Sequence, residues 1–367
     1  MLYNVLAHSH AKDPILTVCL SVFLSQSSAS AEALEELIAH ATQQDERPAG
    51  RRLELSRRLH EYQATAIERA AEVHATAVVH PNAELGPNVL VGPYSVIGPD
   101  VVLEADVRLQ SHVVIDGKTR VGSGTEIHPF ASLGGEPQDK KHQLFDKDEY
   151  EDWTLTIGSN CVIREHVTVH GSTSYSQAPT SVGDDCWLLC GAHVAHDSQV
   201  GRRVVVSNNV CLAGHVSIGD CAVIGGQVGI KQHVSVGPLA MVGGQSAVDG
   251  DVLPFGLVVG NRAKLAGLNL VGLRRAGVSR NNIKLLLRVY RYVFGALSCK
   301  RTGFAPALDL AYRETVVERA LEAKQFFINE GLDSERIPMV HEMVDFVVTS
   351  PQRYSSLCQA VIASPPH

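Results

Sequence analysis

The middle of the chain carries an aliphatic residue at every sixth position. The series starts at Val73 and holds for eleven positions to Leu133. It returns at three positions within 157–169 and holds for twelve more from Val182 to Val248. A period of six matches neither the 3.6-residue repeat of an α-helix nor the alternation of an ordinary strand. It is typical of the hexapeptide β-helix, in which the repeated residue points into the core.

Three hexapeptides close one triangular coil of 18 residues. Successive coils stack about 4.8 Å apart, and each covers the aliphatic ladder of the coil below. Small residues, above all Gly, Asn and Asp, are expected at the corners because they tolerate unusual backbone angles. The predicted fold class is mainly β: a left-handed parallel β-helix, with the hand taken from the repeat class, a C-terminal α-helical domain and an N-terminal helical extension.

Two interruptions and one end divide the chain. The repeat breaks over 134–155 and over 170–181, which predicts loops that leave the coil, and loops on a rigid scaffold commonly carry function. After about Pro254 the period ends and helical patterns follow. The predicted parts are an N-terminal extension with one or two helices (1–72), a catalytic β-helix (73–264) and a C-terminal helical domain (265–367) with helices over 279–296, 308–330 and 334–349.

Residues eighteen positions apart fall into one column, and two neighbouring columns collect reactive groups. These columns contain Asp197, His215 and His233, and His196, Gly214 and Gln232. His196 is the candidate general base, because imidazole suits proton transfer near neutral pH. Asp197 or a neighbouring histidine is expected to orient it. Gly214 has no side chain, so its N–H can approach a developing oxyanion. The alternative, solvated surface histidines, is disfavoured by their clustering.

A metal site is a second interpretation of the same histidines. His193, His196 and His215 could hold zinc, as three histidines do in the trimeric hexapeptide β-helices of the gamma-class carbonic anhydrases. We expect no metal here and keep this class as an alternative.

Two further regions carry polar groups suited to binding. The first interruption includes Gln138, Asp139, Lys140 and Lys141, which either fold over a substrate or form a solvated loop. The first C-terminal helix places a basic stripe on one face, made of Arg280, Lys284, Arg288 and Arg291. Such a stripe suits an acidic carrier protein, and an ordinary solvated face is the alternative.

Composition narrows the class of protein and its compartment. The chain has 367 residues and a net charge of −7, which argues against nucleic acid as the main partner. Its eight cysteines form no CxxC pair, which favours a reducing compartment. No apolar run reaches the roughly 20 residues of a membrane span. The ten-residue apolar stretch 15–24, followed by the small residues 29–31, resembles a targeting signal, and a plain extension is the alternative.

Four stretches of sequence together resemble one family. They are PQDKK (137–141), GAHVAHDSQVG (191–201), NNVCLAGHVSIGD (208–220) and GLNLVGLRRAGVSR (267–280). The chain is similar over about 73–296 to the acyl-carrier-protein:UDP-N-acetylglucosamine O-acyltransferases, which open lipid A synthesis. The resemblance implies a homotrimer with active sites between subunits. It also implies transfer of an (R)-3-hydroxyacyl group from acyl carrier protein to the glucosamine 3-hydroxyl, without a metal or bound cofactor.

The motif match also implies a role for individual residues. His196 would be the base, Asp197 would orient an imidazole, and the Gly214 N–H would bind the oxyanion. The implied sugar-site residues are His193, His215, Gln138, Asp139, Lys141 and Gln232. The implied nucleotide contacts are Arg262, Asn269 and Arg275. The position that limits acyl length in the family is Gly244 here, which predicts a longer acyl chain.

The chain departs from the family pattern at several places. Lys231 stands where the family usually has His, Val271 replaces an acidic residue, and HGST (170–173) lacks the usual Arg. These changes affect the predicted nucleotide and sugar contacts more than the acyl chemistry, and Lys231 could meet a phosphate. A hexapeptide-repeat acyltransferase with a different UDP-sugar acceptor or an amide product is therefore an alternative. We expect a cytoplasmic protein, or a mitochondrial or plastid one if the N-terminal segment is a targeting signal.

Overall fold

The computed structural model describes residues 70–141, 154–173, 176, 178–294, 312–330 and 337–349. The predicted N-terminal helices and targeting segment lie outside the described residues, as does most of the first interruption. The described residues form a parallel β-helix followed by four helices. The predicted β-helix and the C-terminal helices are therefore confirmed.

Three parallel sheets form the faces of the coil. The first contains β1 (Glu72–Val73), β4 (Leu90–Val91), β7 (Arg108–Leu109), β10 (Glu126–Ile127), β13 (Val162–Ile163), β16 (Trp187–Leu188), β19 (Val205–Val206), β22 (Val223–Ile224), β25 (Met241–Val242), β27 (Gly256–Val259) and β28 (Lys264–Leu268). The second contains β2 (Val78–Val79), β5 (Val96–Ile97), β8 (Val114–Ile115), β11 (Ser132–Gly135), β14 (Thr168–His170), β17 (His193–Val194), β20 (Cys211–Leu212), β23 (Gly229–Ile230) and β26 (Ala247–Val248). The third contains β3 (Glu84–Leu85), β6 (Val101–Leu103), β9 (Thr119–Val121), β12 (Leu155–Ile157), β15 (Thr180–Val182), β18 (Gln199–Val200), β21 (Ser217–Ile218) and β24 (Ser235–Val236).

The strand register follows the sequence period. In the regular coils each strand pairs with the strand eighteen residues later, as Cys211 pairs with Gly229. The repeated aliphatic residue points inward, so Val194, Leu212 and Ile230 form a fully buried ladder while their preceding neighbours face outward. Burial of such a side chain contributes about 1.5–3 kcal/mol. The last strand, β28, pairs antiparallel with β27 and ends the stack.

The corners hold larger side chains than the sequence led us to expect. Asn and Asp do occupy positive-φ corners, but so do Tyr94, His112, Phe130 and His166. Their rings stack in one column, with centroids 5.0–5.1 Å apart. Because each ring lies directly above another, stacking offsets part of the backbone strain of the left-handed conformation. We call these four residues the aromatic column.

Four helices follow the coil in the described part of the chain: α1 (Leu270–Arg275), α2 (Arg280–Phe294), α3 (Tyr312–Asn329) and α4 (Pro338–Thr349). Asn269 caps α1 by accepting a hydrogen bond from the Gly272 N–H. Helix α2 buries Ile283, Leu286 and Val289 on one face, and helices α2, α3 and α4 contact one another. No helix within the described ranges is long and apolar enough to span a membrane.

Candidate active site

A histidine–aspartate pair lies at the corner that follows β17. His196 Nδ1 is 2.7 Å from Asp197 Oδ2, and both side chains are largely buried. The Asp197 backbone has φ 61°, in the left-handed region that these corners use. With Nδ1 facing the carboxylate, Nε2 is the ring nitrogen left for a substrate. The pair has the geometry of an oriented general base.

The columns predicted from the spacing are present. His215 Nε2 lies 3.4 Å from Asp197 Oδ2, and the His215 and His233 rings stack with centroids 4.6 Å apart. In the adjacent column, an added Cβ on Gly214 would lie 2.5 Å from His196 Cε1. The Gly214 N–H has no hydrogen-bond acceptor among the described residues. A bare backbone N–H therefore lies beside the candidate base.

The Asp197 carboxylate accepts further hydrogen bonds from a loop. Thr173 donates its backbone N–H to Oδ1 and its hydroxyl to Oδ2, each at 2.9 Å. Burial raises the pKa of Asp197, but hydrogen bonds from His196, Thr173 and Ser176 outweigh burial and lower the pKa below its usual value. Asp197 is therefore a charged acceptor for the His196 ring.

Two more histidines lie beside the pair. His193 Nδ1 is 2.7 Å from the Thr168 hydroxyl, and the His170 and His193 rings meet edge to face at 4.9 Å. Burial, followed by the neighbouring His193 and His196, lowers the pKa of His170 to about 4. Burial and His196 also lower the pKa of His193. Both rings are therefore neutral at pH 7 and can act as hydrogen-bonding groups.

A cleft of about 670 Å³ opens in front of these groups. The predicted site residues that line it are His193, His196, Gly214, Gln232, Gln138, Asp139 and Lys141. Lys231 lines it as well and adds a cation. The loop and the coil thus converge on one cavity. His215 lies behind the pair, against Asp197, rather than in the cleft lining.

The remaining predicted residues lie away from this cleft within the single chain. The Arg262 side chain is 86% exposed and 3.9 Å from Asp249, and Arg275 is exposed on α1. Asn269 caps α1 and donates its amide to the Leu239 carbonyl at 2.9 Å. Gly244 is exposed at the other corner of the second sheet, where an added Cβ would meet the Gly226 carbonyl oxygen at 3.3 Å.

The predicted basic stripe lies on the exposed face of α2. Its members Arg280, Lys284, Arg288 and Arg291 are all exposed. None of the four forms an ion pair with another residue in the described part of the chain.

The structure narrows the possible metal donors. His196, Asp197 and His215 each offer a ligand atom, and these atoms lie within 4.8 Å of one another. His193, which the sequence grouped with them, instead has its Nδ1 on Thr168. Asp197 Oδ2 already accepts hydrogen bonds from His196 Nδ1 and the Thr173 hydroxyl.

The sequence did not reveal the roles of Thr168, His170 and Thr173. Thr168 precedes the second interruption, and His170 and Thr173 lie in its first residues. One coil takes 25 residues there instead of 18, as the pairing of Thr168 with His193 shows. The extra residues in this coil were the one feature of the sequence that could have indicated these roles. A segment that leaves the coil and re-enters it beside Asp197 must pass close to Asp197.

A stacked hexapeptide coil with an oriented histidine and a bare backbone N–H in one cleft is the arrangement of a hexapeptide acyltransferase. Two family models match this chain: bacterial transferase hexapeptide repeats over 179–214, and the second domain of UDP-N-acetylglucosamine O-acyltransferases over 251–354.

The comparisons with whole proteins identify the family. The acyl-[acyl-carrier-protein]–UDP-N-acetylglucosamine O-acyltransferase of Agrobacterium fabrum is 43% identical over 198 residues, which are 54% of this chain and 70% of that relative. The same enzyme of Caulobacter vibrioides is 51% identical over 183 residues, 50% of this chain and 67% of the relative. The crystal structure of the Moraxella catarrhalis UDP-N-acetylglucosamine O-acyltransferase matches with TM-score 0.65 and 33% identity, covering 78% of this chain and 99% of that one. The chain belongs to the UDP-N-acetylglucosamine O-acyltransferase family, as its motifs predicted.

Proposed function

We propose that this chain transfers an (R)-3-hydroxyacyl group from the thioester of acyl carrier protein to the 3-hydroxyl of UDP-N-acetylglucosamine, with His196 as the general base. The observation that supports this mechanism best is the 2.7 Å contact between His196 Nδ1 and Asp197 Oδ2, beside the Gly214 N–H that no described residue accepts from. Family membership supports the reaction class, and this geometry supports the proposed residues.

The proposed reaction proceeds through a tetrahedral intermediate, with His196 carrying the proton from the sugar to the leaving thiolate. His196 Nε2 accepts the proton of the sugar 3-hydroxyl while its oxygen attacks the thioester carbon. The Gly214 N–H donates to the oxyanion of the tetrahedral intermediate. The C–S bond then breaks, and the protonated His196 ring returns the proton to the leaving thiolate. Asp197 keeps the ring in the required tautomer throughout.

The cleft lining supports the binding roles. His193, Gln232, Gln138, Asp139 and Lys141 are the proposed sugar contacts, and Lys231 is suited to a phosphate of the nucleotide. His215 acts through Asp197. No cofactor is required, because the acyl donor arrives on the phosphopantetheine of its carrier protein.

The residues away from the cleft fit a homotrimer whose sites lie between subunits. In that assembly Arg262, Asn269 and Arg275 would serve the nucleotide of a neighbouring site. The exposed stripe Arg280, Lys284, Arg288 and Arg291 would dock the acidic carrier protein. Gly244 would leave room for a long acyl chain.

An assay that pairs UDP-N-acetylglucosamine with 3-hydroxyacyl carrier proteins of several chain lengths tests the proposal. We expect transfer, with a preference for longer chains, and an ester product that mild base cleaves. His196→Ala should lower kcat by about 10²–10⁴-fold. His128→Ala, at a half-buried histidine between Glu126 and Glu165, is the matched control and should retain activity.

Several outcomes would contradict the proposal. A base-stable amide product, or transfer only to another UDP-sugar, would favour a related acyltransferase. Stoichiometric zinc in the purified protein would favour the metalloenzyme alternative, for which His196, Asp197 and His215 supply the donor atoms. Full activity of His196→Ala would exclude His196 as the general base, whichever acceptor the enzyme uses.

A further inference from the structure

The second interruption brings a buried threonine to the active site. After β14 the chain leaves the coil at Gly171 and re-enters it at Thr180. Thr173 lies within this excursion yet is only 1% exposed, and the Thr180 side chain is also buried. A polar residue is buried in this way when its hydrogen bonds are satisfied, which directs attention to its partner.

That partner is the carboxylate of the catalytic pair. The Thr173 N–H binds Asp197 Oδ1 and the Thr173 hydroxyl binds Oδ2, both at 2.9 Å. The Asp197 N–H in turn donates to Thr180 Oγ1 at 2.8 Å. Both ends of the excursion therefore hold Asp197. The same Oδ2 atom faces His196 Nδ1.

Two donors on different oxygens fix a carboxylate against rotation. The terminal torsion of an aspartate is a soft coordinate, and Thr173 restrains it by adding one donor to each oxygen, beside the contacts from His196 and Ser176. With both oxygens held, Oδ2 stays in line with His196 Nδ1, and the imidazole keeps one tautomer and one ring plane. Small displacements of a catalytic base are costly to the rate.

We propose that Thr173 is a positioning residue for the acyl transfer, acting through Asp197 on the orientation and protonation of His196. The inference deepens the proposed function and rests on it. In this interpretation Thr173 delivers a paired donor, a backbone N–H and a hydroxyl, to a carboxylate that the regular coil alone would leave less constrained.

The hydroxyl can be removed while the backbone donor remains. Thr173→Val keeps the shape and the N–H but loses the hydroxyl, and Thr173→Ser keeps both donors. We expect Thr173→Val to lower kcat by about 10-fold with little change in KM for either substrate, and Thr173→Ser to retain most of the activity. Thr125→Val is the control, because Thr125 is equally buried and donates to the Gly158 carbonyl, and neither residue lines the cleft.

The pH profile separates positioning from a general loss of structure. Loss of the hydroxyl donor concentrates negative charge on Asp197 Oδ2. That charge favours the protonated imidazole of His196, which faces the same oxygen. The acidic limb of kcat/KM should therefore move to higher pH in Thr173→Val and stay in place in Thr173→Ser and Thr125→Val. Circular dichroism and thermal unfolding of each variant verify the fold.

The outcomes distinguish this inference from the proposed function. Wild-type kcat and pH profile in a folded Thr173→Val, with activity lost in His196→Ala, would overturn the role of Thr173 alone. Activity retained in His196→Ala would overturn the mechanism on which both proposals rest. If Thr173→Val does not fold, an unchanged pH profile of Thr173→Cys, which replaces the hydroxyl with a weak donor, would likewise overturn the inference.

Discussion

Two corner columns of the same coil share a left-handed backbone conformation but differ in the burial and hydrogen bonding of their side chains. The aromatic column (Tyr94, His112, Phe130 and His166) and the column Asp197, His215 and His233 both hold side chains at positive φ in stacked register. Tyr94 and Phe130 are more than half exposed and line no described cleft, whereas Asp197 is buried and hydrogen-bonded. Stacking alone is a property of the coil. The difference teaches that the candidate site forms where a stacked column also contains a constrained carboxylate and borders a glycine.

Of the three variants that test this comparison, the largest effect is expected from filling the space beside His196. In Gly214→Ala the new Cβ would lie 2.5 Å from His196 Cε1 and 2.7 Å from Nε2, so the imidazole must move. We expect kcat to fall about 100-fold, measured by steady-state assay with saturating substrates.

The matched control for that change is Gly226→Ala, at a corner of the second sheet where the nearest atom to an added Cβ is 3.4 Å away. It should keep wild-type kcat. Equal losses of kcat in the two variants would show that any methyl group added at a corner disturbs the coil. The loss in Gly214→Ala could then not be assigned to His196.

A smaller effect is expected from the buried histidine beside the pair. The pKa of His170 is lowered to about 4 from an ordinary 6.5, mainly by burial. The unfolded chain therefore binds more protons than the native protein between these values, and His170 costs stability as the pH falls from 6.5 toward 4. The cost is about 1–2 kcal/mol after allowance for solvent screening.

His170→Gln removes this titration. Urea unfolding at pH 7 and pH 4.5 should show the wild type losing more stability than the variant on acidification, because the glutamine takes up no proton. Asp197, whose lowered pKa also weakens the fold in acid, is common to both proteins and cancels. Parallel losses in the two proteins would refute the lowered pKa of His170.

The smallest effect is expected in the aromatic column. Phe130→Ala removes a ring that stacks on both His112 and His166, at 5.0 and 5.1 Å. Unfolding stability should fall by about 1 kcal/mol while kcat is unchanged, because the column serves the coil and not the reaction. A drop in kcat would mean that the two columns are less separate than their positions indicate.

The regular parts of the fold and the site followed from the sequence. The six-residue period predicted the inward residues, and the eighteen-residue coil placed His215 beside Asp197 and Gly214 beside His196 from spacing alone. These inferences succeed because parallel stacking converts sequence spacing directly into distance.

The contacts made by the irregular segments and corners could not be predicted from the sequence. Thr173 lies in chain with no period, so its contact with Asp197 depends on how the excursion folds back. The rings of the aromatic column contradict the preference of small residues for positive φ, since tertiary stacking overrides that local preference. The sequence also did not reveal that Asn269 caps a helix, because that role depends on where α1 begins.

The hairpin of β27 and β28 changes the edge that the first sheet presents at its C-terminal end. A stack of parallel coils offers an open edge at its end, onto which another molecule could add strands without limit. The reversed direction of β28 occupies the hydrogen-bonding groups of β27 from Gly256 to Val259 and presents an edge of the wrong polarity for further parallel growth. At this end of the first sheet, the molecule therefore offers no strand in the orientation that further parallel stacking requires.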